Sequence, residues 1–270
     1  MSLGQDYRRD HAYEIYHNEN TPMAIQLFST ANVAEMTFKK IAVHGKSGIG
    51  KTMLAATCAP FNPLIILTEK TGAESLQPAM IEEAFGKDRE DILYSIDVIE
   101  AYEPEDFVEA VAYANTSEHD LIIFDSFSKA SRLILKAKKA LFADGRKAYG
   151  EHNDAALALV ESLTKLNKHS IYLCHTTRIE DGESGAIEYK PGFEGKGFIE
   201  KFVYDLAHVL HLELAFDDDG TSYRALRCHQ GDTDKFAKNR GGRLSEIEEP
   251  HLGRLIAKLS AGGKKKKVKK

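Results

Sequence analysis

The sequence feature that most constrains this chain is a glycine-rich stretch. Residues 44–52 read HGKSGIGKT and fit the phosphate-loop pattern G-x-x-x-x-G-K-[ST] without a gap. An apolar, β-rich run over 40–43 precedes the stretch, and 53–57 begin like a helix. A strand, a glycine loop and a helix in this order predict a loop that binds a nucleotide triphosphate. A glycine-rich turn that binds nothing is the simpler alternative.

The residue types of this loop suit a polyphosphate. Glycine accepts positive φ and lets the backbone approach closely, so that successive N–H groups can point at phosphate oxygens. We expect Lys51 to reach the β- and γ-phosphates of ATP and Thr52 to offer its hydroxyl to Mg²⁺. The predicted nucleotide-binding residues are Gly45, Lys46, Ser47, Gly48, Ile49, Gly50, Lys51, Thr52 and Met53.

Composition limits the class of protein. A chain of 270 residues with 43% hydrophobic content can bury a large core. Neither a run of eighteen apolar residues nor the apolar region of a signal peptide is found, so we expect a soluble, cytoplasmic protein without a membrane partner. The cysteines Cys58, Cys174 and Cys228 are widely spaced, which indicates neither a disulfide framework nor a zinc site and predicts small buried side chains.

Charge is distributed unevenly along the chain. The net charge of −5 includes six lysines within 264–270, so the rest of the chain is strongly acidic. Against that background, 127–151 holds seven basic and two acidic residues. Such a segment attracts a phosphate backbone, and Phe127, Phe142 and Tyr149 could stack on bases. The alternative is an amphipathic surface helix with its lysines in solvent.

Polar residues follow three predicted strands at the point where each strand ends. Glu69 comes shortly after the apolar run 63–67, Asp125 follows LIIF, and His175 follows 170–174. The carboxyl ends of parallel strands meet at one edge, where ligands bind. We expect Thr52 and Asp125 to hold Mg²⁺, Glu69 to orient or deprotonate a water, and His175 to sense the γ-phosphate. A solvated carboxylate and a core histidine are the alternatives for the last two.

Three later segments complete the sequence-based interpretation. The polar, glycine-studded stretch 176–197 predicts a long functional loop, and 205–215 with 221–229 predict a β-hairpin. Lys238 and Arg240 are two apart on a predicted strand and would point to the same side, as cations supplied in trans to a neighbour's γ-phosphate or as ordinary surface charges. The predicted catalytic residues are Lys51, Glu69, His175, Lys238 and Arg240.

Together these parts resemble the RecA-like ATPase core shared by RecA/RadA recombinases and DnaB-type helicases. The chain is most similar to short phage nucleotide-binding P-loop proteins, described as minimal RecA-like single-strand annealing or recombination ATPases. The resemblance implies an α/β fold with a RecA-like P-loop NTPase core, a mostly parallel sheet with helices on both faces, and a C-terminal antiparallel hairpin. We expect an N-terminal extension over 1–37, the ATPase domain over 38–260, and a basic disordered tail over 261–270.

The resemblance also implies a function. It predicts an ATPase that uses Mg²⁺ and acts on single-stranded DNA in phage recombination, annealing or replication, in the host cytoplasm. A homo-oligomeric ring or filament is expected, with a single-strand-binding protein as a further partner. Segments 127–151 and 176–197 would take the places of the two DNA-binding loops. Three alternatives stay open: a partition-type ATPase with Lys46 as its signature lysine, a small-molecule kinase, and a nucleotide-gated adaptor or helicase loader.

Overall fold

The structure is a computed structural model, and it describes residues 38–85, 96–195 and 197–261. All of these residues belong to one compact unit. The predicted extension over 1–37, and the predicted tail apart from its first residue, lie outside the described residues. The predicted domain boundaries therefore stay predictions.

A largely parallel sheet forms the centre of the fold. Its described strands are β1 (Lys40–Gly45), β2 (Pro63–Leu67), β3 (Asp97–Glu100), β4 (Leu121–Asp125), β5 (His169–Glu180), β6 (Ile187–Pro191), β7 (His208–Phe216), β8 (Ser222–Arg227), β9 (Lys238–Asn239) and β10 (Ile247–Glu248).

Six of these strands run parallel to one another, in the order β7, β1, β5, β4, β2 and β3. Strands β8 and β10 continue the sheet beyond β7 in antiparallel fashion, β9 also pairs with β7, and β6 pairs with the end of β5. The predicted α/β fold with antiparallel strands near the C-terminus is confirmed.

Several of the described helices begin where the sequence supplies a polar cap. Ser126 accepts a hydrogen bond from the Lys129 N–H at one helix start, and the Glu103 N–H donates to the Asp106 carboxylate over 2.9 Å at another. Two 3₁₀ segments cover Ala59–Phe61 and Lys70–Leu76. The α-helices are α1 (Lys51–Ala56), α2 (Pro78–Phe85), α3 (Pro104–Thr116), α4 (Phe127–Leu141), α5 (Gly145–Lys165), α6 (Phe198–Asp205) and α7 (Leu252–Ser260).

Alternation along the strands divides the core between the two faces of the sheet. Ile122 and Phe124 pack on the side that holds α3, α4, α5 and α6. Leu121 and Ile123 pack on the opposite side, together with residues of α1 and α7. Neighbouring side chains of a strand point to opposite faces, so a strand covered on both sides needs a continuous apolar run. That requirement explains the apolar runs in the sequence.

The three cysteines are buried, as the sequence predicted. Burial raises the pKa of the Cys228 thiol to about 12. The thiols of Cys58 and Cys174 are also shifted upward by burial. Each side chain therefore stays protonated and packs as a small hydrophobic group.

Two sequence-based predictions were wrong, namely the single long loop over 176–197 and the availability of Phe127 for stacking. The stretch 176–197 is not one long loop, because β5 continues to Glu180 and pairs with β6 as an antiparallel hairpin. The segment 127–151 consists of α4 and the start of α5, and Phe127 is fully buried rather than available to stack on bases. The amphipathic-helix alternative describes α4 correctly, and the attraction of its exposed basic residues for a phosphate backbone stays a prediction. The strand extension was missed because its polar residues and the glycines of its turn have the composition of a loop.

The side chain of Phe127 is the centre of the larger core. Its ring centroid lies 5.5 Å from that of Phe124, 5.3 Å from Tyr172 and 5.4 Å from Phe202. The ring therefore joins β4 and β5 to α6.

We predict that Phe127→Ala lowers the free energy of unfolding by about 3–5 kcal/mol, because it leaves a cavity among these rings. Urea denaturation measures the change. Leu141→Ala on the same helix is the control, since Leu141 is 71% exposed and its loss should change stability by less than about 0.5 kcal/mol. Equal losses for the two variants would contradict the placement of Phe127 in the core.

Candidate nucleotide site

The loop between β1 and α1 has the backbone that its glycines permit. Gly48 and Gly50 have φ values of 75° and 103°, which L side chains rarely adopt. A Cβ on Gly45 would come within 3.0 Å of the Leu212 carbonyl oxygen. The loop therefore has a conformation that requires glycine at these positions. A backbone that binds phosphate through its N–H groups needs such a conformation.

Lys51 places a buried cation inside this loop. Its ammonium donates to the carbonyl oxygens of Gly45 and Lys46, each over 2.9 Å, and the residue is 8% exposed. Burial lowers the pKa of Lys51, while the carboxylate of Asp125 opposes that shift. The loop therefore combines a cation with an open glycine backbone, and this combination fits a polyphosphate.

Thr52 and Asp125 meet at the end of β4. The Thr52 hydroxyl donates to Asp125 Oδ2 over 2.6 Å. Burial raises the pKa of Asp125 to about 6, even though the hydrogen bond from Thr52 and the charge of Lys51 favour the ionised form. A buried carboxylate and a hydroxyl are oxygen ligands that suit Mg²⁺, so the two side chains fit the predicted metal.

Glu69 and His175 meet around Ser126. The His175 Nε2 atom lies 3.5 Å from Glu69 Oε1 and 3.3 Å from the Ser126 hydroxyl oxygen. The Ser126 hydroxyl is also 3.5 Å from Glu69 Oε1. Burial, followed by the charge of Lys51, lowers the pKa of His175, so that its ring is neutral at pH 7. A carboxylate, a hydroxyl and a neutral imidazole are thus gathered beside the phosphate loop.

Two clefts share this group of side chains. A cleft of about 670 Å³ is lined by the phosphate loop, Asp125, Glu69, Ser126 and His175. A second cleft of about 530 Å³ is lined by Glu69 and His175 again, and by Lys129 and Arg132 of α4. Glu69 and His175, together with Thr71, therefore form the wall between the cleft at the phosphate loop and the one that contains basic side chains.

Some residues of the site were missed by sequence reasoning. Ser126 follows Asp125 directly and caps α4, and a serine just before a helix is the signal that could have found it. The Thr68 hydroxyl accepts from the Ser126 N–H over 2.9 Å and donates to its carbonyl oxygen over 3.1 Å. Arg224 of β8 donates to the Ile49 carbonyl oxygen over 2.8 Å and lines the larger cleft. No local sequence signal marks Arg224.

The structure does not bring Lys238 and Arg240 to this site within the chain. Strand β9 pairs with the start of β7. This end of the parallel strands is opposite to the end that carries the phosphate loop. The Lys238 ammonium donates to the Val203 carbonyl oxygen, and Arg240 lies in the turn after the strand, exposed. The prediction that both residues lie on one strand was wrong, because β9 ends at Asn239. The predicted role in trans is a separate matter and stays a prediction.

The remaining loop residues surround the same cleft. Ser47, Gly48 and Met53 line it, and the ammonium of Lys46 lies 5.5 Å from the centroid of the Tyr189 ring. The residues that the sequence assigned to nucleotide and Mg²⁺ are therefore contiguous in space with Glu69 and His175. Their individual roles stay predictions.

A comparison with known families decides the class. A family model described as an AAA domain matches residues 37–241, well over half of the chain. This chain belongs to the AAA domain family. The AAA domain of this chain is accordingly a P-loop ATPase domain that binds nucleotide, and its α/β fold agrees with that membership. Among curated proteins, no significant match to the sequence was found. None of the described helices of the AAA domain is long and apolar enough to cross a membrane.

We predict that Asp125→Asn stabilises the nucleotide-free AAA domain at pH 7.5. The folded pKa of Asp125 lies near 6 and its ordinary value is 3.8, so the folded protein holds the proton more tightly and loses stability as pH rises through that window. The variant avoids this pH-dependent decrease in the free energy of unfolding, which amounts to at most about 3 kcal/mol. The difference in the free energy of unfolding between the variant and the unmodified protein should shrink as the pH falls from 7.5 toward 5.

Urea denaturation at several pH values measures this effect. Asp120→Asn is the control, because Asp120 is an exposed carboxylate just before the same strand. Its substitution should change stability by less than about 0.5 kcal/mol at every pH. If Asp125→Asn lowers the free energy of unfolding at pH 7.5, that result would contradict the conclusion that the buried charge of Asp125 destabilises the folded protein.

Proposed function

We propose that this AAA domain is a Mg²⁺-dependent ATPase coupled to single-stranded DNA, of the RecA-like kind that acts in phage recombination, annealing or replication. The observation that supports it best is the shared wall of Glu69 and His175. One side of the wall faces the phosphate loop, and the other faces Lys129 and Arg132. A change at either cleft can therefore reach the other through the same side chains.

Within the larger cleft, Lys51 and the loop N–H groups would bind the β- and γ-phosphates of ATP. Thr52 and Asp125 would hold Mg²⁺, which would neutralise the negative charge that develops on the phosphates. Arg224 is anchored on the Ile49 carbonyl oxygen and would add a positive charge at the rim. The buried ammonium of Lys51 and the carboxylate of Asp125 keep this arrangement fixed before the substrate arrives.

Glu69 is the group we assign to the attacking water. Its carboxylate is 41% exposed, so water can reach it, and it can orient that water or accept its proton. The Ser126 hydroxyl and the neutral ring of His175 hold the carboxylate from the other side. His175 can also report the presence of the γ-phosphate, because its backbone N–H donates to Ser128 of α4 over 3.0 Å.

The coupling to DNA would run through α4. Ser126 contacts Glu69 and His175 and also accepts the Lys129 N–H as the cap of α4. A shift of Ser126 therefore changes the start of a helix whose outer side carries Arg132, Lys136 and Lys139. Those side chains are exposed and would attract the phosphate backbone of a strand.

Oligomerisation belongs to the proposal as well. We propose that ATP closes the interfaces of a homo-oligomeric ring or filament, and that Arg240 is the cation supplied in trans. Arg240 is exposed, whereas Lys238 would first have to give up its contact with the Val203 carbonyl oxygen. Arg240 is therefore the stronger of the two candidates.

We predict that Glu69→Gln lowers the ATP turnover by about 10²–10⁴-fold while the affinity for ATP stays within a factor of about three, because a carboxamide cannot accept the proton. Steady-state turnover and equilibrium binding of labelled ATP measure the two effects. Glu74→Gln is the matched control, since Glu74 is an exposed glutamate in the 3₁₀ segment that directly follows Glu69. Lys51→Ala should instead lose the binding itself.

The outcomes also separate the alternatives. An adaptor or helicase loader should keep its activity when Glu69 becomes glutamine. A partition-type ATPase should lose dimer-dependent turnover in Lys46→Ala and be indifferent to Arg240→Ala. Either result would replace the proposed RecA-like function.

A second prediction concerns DNA. The ATPase rate should rise with single-stranded DNA at low salt, and the stimulation should fall steeply as salt is added. Reversing two exposed charges of α4, with Arg132→Glu and Lys136→Glu together, should raise the DNA concentration for half-maximal stimulation by about tenfold or more and flatten the salt dependence.

The matched control is Lys165→Glu, since Lys165 is 77% exposed at the last residue of α5, close to where β5 begins and away from the phosphate loop. Its reversal should leave DNA stimulation intact. A rate that ignores DNA at low salt in the unmodified protein would remove the nucleic-acid half of the proposal and leave the ATPase half standing.

A further inference from the structure

A second cluster of polar side chains lies behind the phosphate loop. His44 Nε2 lies 3.1 Å from Asp234 Oδ2, and His211 Nδ1 lies 3.0 Å from the same oxygen. The side chains of His44, His211 and Asp234 are 0%, 4% and 0% exposed. One ligand atom of each residue lies within 4.8 Å of the other two. Among the described residues, this is the one group of three histidine, cysteine or acidic side chains that meets that limit.

The three converging atoms have no well-directed hydrogen bond. Their separations are hydrogen-bond distances, yet His44 Nε2, His211 Nδ1 and Asp234 Oδ2 each have no partner of acceptable geometry. Buried polar atoms of this kind are rare, because each costs the desolvation of an unpaired group. Three such atoms within 4.8 Å of one another would all be satisfied by one further partner among them.

The outer contacts of the cluster fix the orientation of its members. Asp234 Oδ1 accepts the N–H groups of Phe236 and Ala237 over 3.0 and 2.9 Å. The Thr176 hydroxyl lies 3.0 Å from His44 Nδ1. The other oxygen of Asp234 and the other nitrogen of His44 are thereby left for a partner within the cluster. Outer partners of this kind orient the ligands of protein metal sites.

We infer that His44, His211 and Asp234 bind a divalent transition-metal ion of the Zn²⁺ class. Two imidazoles and a carboxylate are the ligands that Zn²⁺ accepts, at bond lengths of about 2.0–2.2 Å. Tetrahedral ligands at that distance lie about 3.3 Å from one another, close to the observed 3.0 and 3.1 Å. The imidazoles also favour such an ion over Mg²⁺ or Ca²⁺.

Glu213 supplies a candidate for the fourth position. Its Oε2 atom lies 3.7 Å from His211 Nδ1, and Arg227 binds its other oxygen through two nitrogens over 3.0 and 2.9 Å. A carboxylate held in this way presents a single oxygen toward the cluster. With Glu213 the site would have two imidazoles and two carboxylates, and without it a water could occupy the fourth position.

The site would join three parts of the sheet next to the nucleotide loop. His44 lies in β1 directly before Gly45, His211 lies in β7, and Asp234 belongs to the connection between β8 and β9. The cluster is separate from Thr52 and Asp125, which we assign to Mg²⁺. The inference does not rest on the proposed DNA-coupled function, and it can fail or hold independently of it.

Metal content and Co²⁺ spectra test the inference. The untagged full-length protein, purified without chelator, is analysed by elemental mass spectrometry, and chelator-treated protein is then titrated with Co²⁺ and with Zn²⁺ alone. We expect stoichiometric uptake, visible Co²⁺ absorption typical of a tetrahedral N/O site, and a rise in melting temperature with Zn²⁺. Asp234→Asn and His211→Ala should weaken binding by more than the roughly 10–100-fold that loss of an outer-shell partner causes.

Two control variants keep the experiment specific. His119→Ala removes another buried histidine, which lies 3.0 Å from Asp97 but has no third potential ligand beside it among the residues that the structure describes. The His119→Ala protein should bind the metal normally. Asp125→Asn should also bind normally, which places the ion outside the nucleotide cleft. Substoichiometric uptake without Co²⁺ absorption in the unmodified protein would overturn the inference, even if the cluster variants fail to fold. A loss of metal binding in either control variant equal to that in the cluster variants would overturn the inference as well.

Discussion

The parallel register of four strands is the constraint on which the site depends. Gly45 of β1 lies opposite His175 of β5, and Asp125 of β4 lies opposite both Leu173 of β5 and Leu67 of β2. Because these pairings are fixed by backbone hydrogen bonds, the phosphate loop, His175, Asp125 and Glu69 reach the same edge together. A slip of one residue in any of these strands would exchange its side chains between the two packed cores and disturb the packing of both, so the cores protect the register that builds the site.

Ser126 connects this edge to the surface that we propose for DNA. Its backbone N–H and carbonyl oxygen are both held by the Thr68 hydroxyl, so β2 and the end of β4 move as a unit. Its own hydroxyl contacts Glu69 and His175 and accepts the Lys129 N–H in the first turn of α4. One small side chain thus contacts the residues that we propose for the attacking water and caps a basic helix, which would give a physical route between ATP hydrolysis and the basic cleft.

The parts that the sequence predicts well are those encoded locally. The phosphate loop has eight positions in a fixed pattern, and the buried strands require continuous apolar runs ending at Asp125 and near Glu69. The hairpin of β5 and β6 was missed because the same polar and glycine residues suit a loop, and only pairing with Ile187–Pro191 decides the matter. Arg224 could not be found either, since its contact with Ile49 spans 175 positions along the chain.

The cluster of His44, His211 and Asp234 is a stronger example of a site that local sequence signals do not predict. A metal search by sequence depends on short spacings, and the absence of paired cysteines argued against zinc. The cluster contains no cysteine, and its members come from three segments that only the register of β1 and β7 brings together. In that register His44 lies directly opposite His211, and the two rings stack with centroids 4.4 Å apart. The backbone pairing that positions Gly45 for phosphate therefore also aligns two imidazoles behind it, so an ion bound there would stiffen the strand that carries the nucleotide loop.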